Sequence, residues 1–217
     1  MLVFTLNGKR KTIGPETAYR RNKMKKFIIV MLIALVIPAC IFAGRGLFDL
    51  TIGAAASTTY TPKMIQEGEL KNFTFGDITW GADVELKLAF VAVDGKVMYA
   101  PADKAIYGNL SANLALDIFF VRVKAGLGYE YTYNFDTKNF YFGNGNGFAT
   151  EFAGYKDACF DVNVGVDVLL GPLTVGAYAT LPTETSIANG KWAEIFSTAF
   201  SNWNQAELGV TVGFALL

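Results

Sequence analysis

At 217 residues, with 19 basic and 19 acidic side chains, the chain is long enough for one domain and formally neutral, but its charge is unevenly placed. Eight of the basic residues precede residue 27 and 18 of the acidic ones follow residue 43, so the remainder carries 11 minus 18, or −7, and lacks the basic face a nucleic-acid binder needs. Histidine is absent from the sequence, which removes the usual general base and the commonest metal ligand. Phosphate-loop and metal-cluster spacings are missing too, so no catalysis, cofactor or metal is expected.

The chain opens with a segment that reads as a secretory leader. Arg20, Arg21, Lys23, Lys25 and Lys26 precede an apolar run from Phe27 to Ile37, then Pro38, with small residues at Ala39 and Ala43. Residues 1–43 are therefore expected to be a signal peptide cleaved after Ala43, with Met24 a candidate start, and residues 44–217 the mature domain. A spanning helix needs roughly 20 apolar residues, more than this run supplies. The alternative is lipidation at Cys40, in Ile37-Pro38-Ala39-Cys40. Only Cys40 and Cys159 occur, so cleavage leaves no intramolecular disulfide, and Cys159 reads as a buried thiol near a strand end.

Beyond residue 43 the sequence alternates with a period of two. Phe48, Leu50, Ile52 and Ala54 open the apolar phase. Trp80, Ala82, Val84, Leu86, Leu88 and Phe90 continue it, against Asp83, Glu85 and Lys87 on the other. The pattern returns as Leu110 to Ile118 against Ser111, Asn113 and Asp117, and as Val121 to Tyr133 against Arg122, Lys124 and Glu130. It recurs as Ala158 to Val168 against Asp161 and Asp167, as Leu173 to Leu181 against Thr174 and Thr180, and as Ala206 to Leu216 against Glu207 and Thr211. The apolar phase holds no charged residue, and a lipid-facing Lys or Arg costs about 2–4 kcal/mol at mid-membrane. This predicts an all-β fold: an eight-stranded antiparallel transmembrane up-and-down β-barrel, apolar phase outward. A soluble calyx with the apolar phase inward is the rival, disfavoured by the glycine-rich, sparsely charged opposite phase.

Short links are predicted at Asp94-Gly95-Lys96, Phe119-Phe120 and Leu170-Gly171-Pro172, and long segments at 57–72, 134–156 and 182–204. A two-residue link at Phe119-Phe120 sets Asp117 opposite Arg122. The third strand is reduced to Lys96–Pro101, since proline cannot donate to a ladder. In the second long segment, Asn144-Gly145 and Asn146-Gly147 between Phe140, Tyr141, Phe142 and Phe148, Phe152 predict a hairpin turn. In the third, Trp192, Ile195, Phe196, Ala199, Phe200 and Trp203 recur at helical spacing and predict a short amphipathic helix at the rim. These aromatics serve either as an interfacial belt or for ligand recognition.

An eight-stranded lumen is filled by its own side chains, so inward charges must find partners. Asp49, Asp83, Glu85, Lys87, Asp117, Arg122, Lys124, Glu130, Asp161, Asp167 and Glu207 are expected to form an ion-pair network, Asp117 with Arg122 foremost. The acidic excess leaves a cation-favouring conduit as the functional alternative.

Glu207, Gly209, Val212 and Phe214 match the spacing of the last-strand signal read by the barrel-assembly machinery, although Ala215, Leu216 and Leu217 follow where an aromatic usually ends the chain. With that signal, the leader and Ala125-Gly126-Leu127-Gly128-Tyr129-Glu130-Tyr131, residues 44–217 resemble the small eight-stranded outer-membrane barrels of the OmpA, OmpX and OmpW kind. The resemblance implies the outer membrane of a diderm bacterium, termini in the periplasm, loops outside and no fixed activity. Its implied partners are membrane lipids and the assembly machinery, with small solutes or host-surface ligands as further candidates. OmpA-type lumens are polar and plugged, OmpW-type ones more hydrophobic, and the charged lumen here leans to the former.

Overall fold

A computed structural model describes residues 46–58, 61–68, 71, 73–143 and 152–216. The expected leader and Cys40 lie outside them. The described residues form nine strands: β1 Phe48–Thr58, β2 Ile78–Leu88, β3 Val91–Ala100, β4 Ala105–Ile118, β5 Val121–Asn134, β6 Asn139–Phe142, β7 Cys159–Leu170, β8 Leu173–Ser186 and β9 Glu207–Ala215. Eight of them close into a barrel. Each is antiparallel to the next in the order β1-β2-β3-β4-β5-β7-β8-β9, and β9 returns to β1 through Thr51 opposite Ala215 and Thr58 opposite Leu208. Closure leaves none of these eight strands at a sheet edge; only the short β6, paired with β5 alone, keeps one free side among the described strands.

Two-residue turns at Ala89-Phe90, Phe119-Phe120 and Gly171-Pro172 lie at one end, where β1 begins and β9 ends. The connections 59–77, 135–158 and 187–206 lie at the other, with the four residues Pro101–Lys104 between β3 and β4. The first residue of each tight turn has positive φ, 56° at Ala89 and Phe119 and 63° at Gly171, the hand that continues the twist of the flanking strands.

One predicted turn is misplaced. Asp94, Gly95 and Lys96 sit in the middle of β3, and the chain reverses at Ala89-Phe90 instead. Phe90 is thus a turn residue, and the third strand is a full ten residues long, with Pro101 just past its end. The reason is the alternation itself. Val91, Val93, Val97 and Tyr99 point outward while Ala92, Asp94, Lys96 and Met98 point inward, and a turn at Gly95 would have broken both rows.

Throughout the barrel the apolar phase faces out and the polar phase in. Leu110 is 58% exposed and Phe214 54%, whereas Arg122 is 0% exposed and Asp49, Lys87 and Asp117 are buried. Every barrel strand adds to the outer apolar surface, among others Ile52, Val84, Val93, Leu114, Val123, Val166, Val175 and Val210. A soluble calyx requires the reverse, so that reading fails. Water-soluble proteins rarely expose an apolar patch above a few hundred Å², and here the apolar surface runs round all eight strands.

The predicted rim helix is present as α2, Ile195–Ser201, preceded by the short helix α1 at Pro62–Gln66. Helical spacing of Ile195 and Ala199 buries both against Val162 and Leu181 on the outer wall, so α2 lies outside the barrel. The predicted hairpin takes another form. β6 folds back on β5, setting Phe140 opposite Tyr133 and Phe142 opposite Tyr131 across a turn at Phe135–Lys138. Asn144–Gly147 and Phe148 lie outside the described residues. β8 also runs on to Ser186, beyond the predicted strand end at Leu181.

Candidate functional site: a charged lumen

Period-two alternation delivers one charged side chain after another to the barrel axis, and at the tight-turn end these join into one network. Arg122, second residue of β5, is its centre. Its Nε donates to Asp117 Oδ1 at 2.7 Å, and its Nη2 to Asp117 Oδ2 at 3.0 Å and to Asp49 Oδ2 at 2.7 Å. Its Nη1 donates to Glu85 Oε1. The rigid five-donor guanidinium fork suits this role, because one side chain can answer carboxylates from three directions. Strand β1 stands four strands from β5 in the ring, so the Arg122–Asp49 pair crosses the full lumen.

Lys87 Nζ adds a second contact to Asp117 Oδ2 at 2.9 Å. One turn along the axis, Lys124 Nζ meets Glu85, Asp167 at 2.9 Å and Asp94 at 3.5 Å. Lys96 meets Asp94 and, at 3.4 Å, Asp83. Side chains of six strands are thereby tied together with little exposure. Effective desolvation penalties of several kcal/mol per ion are offset only by such multiple hydrogen bonds.

Of the expected network, the structure brings together Asp49, Asp83, Glu85, Lys87, Asp117, Arg122, Lys124 and Asp167. Asp94 and Lys96 join them, missed because Asp94-Gly95-Lys96 reads as a turn. The alternation of Ala92, Asp94, Lys96 and Met98 was the signal that could have found them.

Glu130, Asp161 and Glu207 sit apart along the axis. They lie in the loop-end half of the lumen, and among the described residues no ion pair reaches Glu130 or Glu207. Between the two halves lies the ring of Tyr178. It fills the space a side chain at Gly209 would need, and its hydroxyl reaches Met98 Sδ at 3.5 Å on the opposite wall. Lys96 Nζ sits 4.7 Å from its centroid. Beyond Tyr178 is a cavity of about 200 Å³ lined by Thr58, Thr61, Thr79, Met98, Asp103, Tyr107, Glu130, Gln205 and Glu207.

The residues of the assembly pattern divide between the faces: Glu207 and Gly209 point inward, Val212 and Phe214 outward, on the strand that closes the barrel against β1. Cys159 is a free, buried thiol at the start of β7, as expected.

Aromatic rings gather at the loop end. Tyr131 stacks on Phe140 at 5.8 Å, and Phe140, Phe142, Tyr129, Phe160 and Trp192 follow in successive contact. Trp80, Tyr99, Phe135 and Tyr133 form a second run. Tyr141 stands beside these rings, its hydroxyl accepting from Asn139 Nδ2 at 3.1 Å. Phe152 opens a short 3₁₀ turn, Phe152–Lys156. Phe196, Phe200 and Trp203 stay exposed, and Phe200 and Trp203 line an apolar cleft of about 610 Å³ between α1, α2 and the outer wall.

Fold and site together define a closed eight-stranded antiparallel barrel, apolar outside and ion-paired within. The comparisons with known proteins add no relative: no family model, no curated protein and no solved structure matches the chain.

Proposed function

We propose that this chain is an outer-membrane β-barrel of the OmpA/OmpX/OmpW-like kind, with a plugged lumen and a structural or surface-interaction role. The observation that carries the plug is the Arg122 fork, joined across the lumen to Asp49 on β1 and Glu85 on β2 and to Asp117 on the neighbouring strand. The membrane reading is supported by the outward apolar phase, by the aromatic runs at one end and by the leader-like residues 1–43. In this reading the termini and tight turns are periplasmic and the long loops extracellular. The partners are lipid and, through Glu207, Gly209, Val212 and Phe214, the assembly machinery; no catalysis is assigned.

A second reading, a narrow cation path, draws on the acidic excess of the lumen, where among the described residues no ion pair reaches Glu130 or Glu207. Adhesion through the loop aromatics is a form of the surface role, supported by exposed Phe140, Phe196 and Phe200.

The membrane assignment is tested by refolding the full chain into vesicles whose acyl chains carry bromine at set depths. Trp80, Trp192 and Trp203 are all exposed near the loop end. Quenching strongest for bromines nearest the headgroups is expected, and fluorescence unaffected at every depth would refute membrane insertion.

A further inference from the structure

We propose that the loop-end half of the lumen is a binding site for the ammonium head of a small aliphatic amine. The tight-turn half holds Lys87, Lys96, Arg122 and Lys124 among its carboxylates, whereas the loop-end half carries Glu130, Asp161 and Glu207 with no described lysine or arginine paired to the two glutamates. Low-dielectric walls focus such a field on any cation that enters.

An independent observation points to a guest. Asn109, only 8% exposed, lines a smaller void of about 10 Å³ that shares Met98, Tyr107, Glu130 and Glu207 with the loop-end cavity and is bounded by Lys96 and Tyr178, and neither its Oδ1 nor its Nδ2 has a hydrogen-bond partner. Glu207 Oε1 is likewise without one. Buried polar groups are ordinarily satisfied, so the two oxygens, Asn109 Oδ1 and Glu207 Oε1, call for a donor-bearing occupant.

The chemistry of the walls selects which. Among the described residues no three carboxylate or thiol groups converge as metal ligands, so the charge is better carried on a head that donates hydrogen bonds. A primary ammonium has three donors and no acceptor. The site's own boundary already accommodates one: the Lys96 ammonium rests against the Tyr178 ring. Met98, Tyr107 and the threonines Thr58 and Thr79 would receive a short alkyl stem within the roughly 200 Å³ available.

The test is calorimetric titration of the refolded full chain in detergent micelles with n-butylammonium chloride, and with butan-1-ol as the neutral isostere. Saturable binding of the amine alone is expected, weakened at least tenfold in Glu130→Gln and in Glu207→Gln and unchanged in Glu184→Gln, an exposed carboxylate outside the cavity. Equal binding of the alcohol, calcium bound in preference to the amine, or no response would overturn the proposal, and the isostere contrast on the unmodified chain decides the matter even if a variant misfolds. A negative result in micelles leaves the membrane assignment standing, since that rests on quenching in vesicles.

Discussion

Replacing Arg122 with methionine will lower the unfolding free energy of the refolded barrel by about 3–5 kcal/mol, read as a fall in the urea midpoint. The loss is large because Asp49, Glu85 and Asp117 remain buried while the fork that answers them is gone. Arg122→Lys will recover only part of it, since a single ammonium on a flexible stem cannot reach Asp49 across the lumen and both oxygens of Asp117 at once. Removing the charges that Arg122 leaves behind, with Asp49→Leu, Asp117→Leu and Lys87→Met in the Arg122→Met background, will restore stability toward the starting value, because Lys87 goes with the Asp117 it pairs and Glu85 keeps Lys124. A midpoint unchanged by Arg122→Met would show that the network fills space without holding the fold.

Leu110→Arg will cost about 2–4 kcal/mol in lipid vesicles and reduce the folded fraction. Leu110 is mid-strand in β4 and points out from the wall, where a guanidinium faces hydrocarbon. Its neighbour Ser111 is buried on the lumen side, where its hydroxyl accepts from Asn113 Nδ2 at 2.9 Å, so Ser111→Ala will cost about 1–3 kcal/mol in vesicles and in micelles alike, through the unpaired amide. The contrast discriminates between environments: an outward arginine on a water-soluble barrel would be within about 0.5 kcal/mol of neutral, as ordinary surface substitutions are. Equal stability of the leucine and arginine forms in vesicles would therefore contradict the membrane assignment.

Much of the architecture was legible because a barrel strand writes its two faces into alternate residues. Tyr129, Tyr131 and Tyr133 against Glu130 and Thr132 already specify β5, and Asp117 opposite Arg122 follows from the two-residue turn between them. What misled was local turn chemistry. Asp94-Gly95 has the composition of a hairpin turn, but two rows of side chains in β3 gain more by keeping phase than Gly95 loses by lying in a strand. The reversal occurs at Ala89-Phe90, whose composition carries no turn signal. β6 was hidden for a related reason. Asn139–Phe142 pairs with strand residues read as membrane-interface positions, and the turn that makes this possible, Phe135–Lys138, is less distinctive than the Asn-Gly pairs downstream.

The lumen was legible in content but not in layering. Alternation assigns a side chain to the interior without saying how far along the axis it sits, so Glu130 and Glu207 were grouped with charges that, among the described residues, no ion pair joins to them. Their separation depends on strand stagger and on Tyr178, which spans the lumen because Gly209 leaves room for its ring. The wrapping of α2 against the outer wall was likewise only half visible: helical spacing gave the helix, but Val162 and Leu181 look like any other lipid-facing residues until Ile195 and Ala199 cover them.

Single-channel recording of the refolded full chain in planar lipid bilayers, with Lys124→Ala beside it, tests the plugged barrel most directly, provided insertion is first established by a folded, heat-modifiable band. The account predicts an inserted protein that stays electrically silent, its lumen closed by Arg122 and Lys124 against carboxylates from five other strands. Stable, cation-selective current steps from the unmodified chain, altered by Lys124→Ala, would contradict it and make the same charges the lining of a conduit.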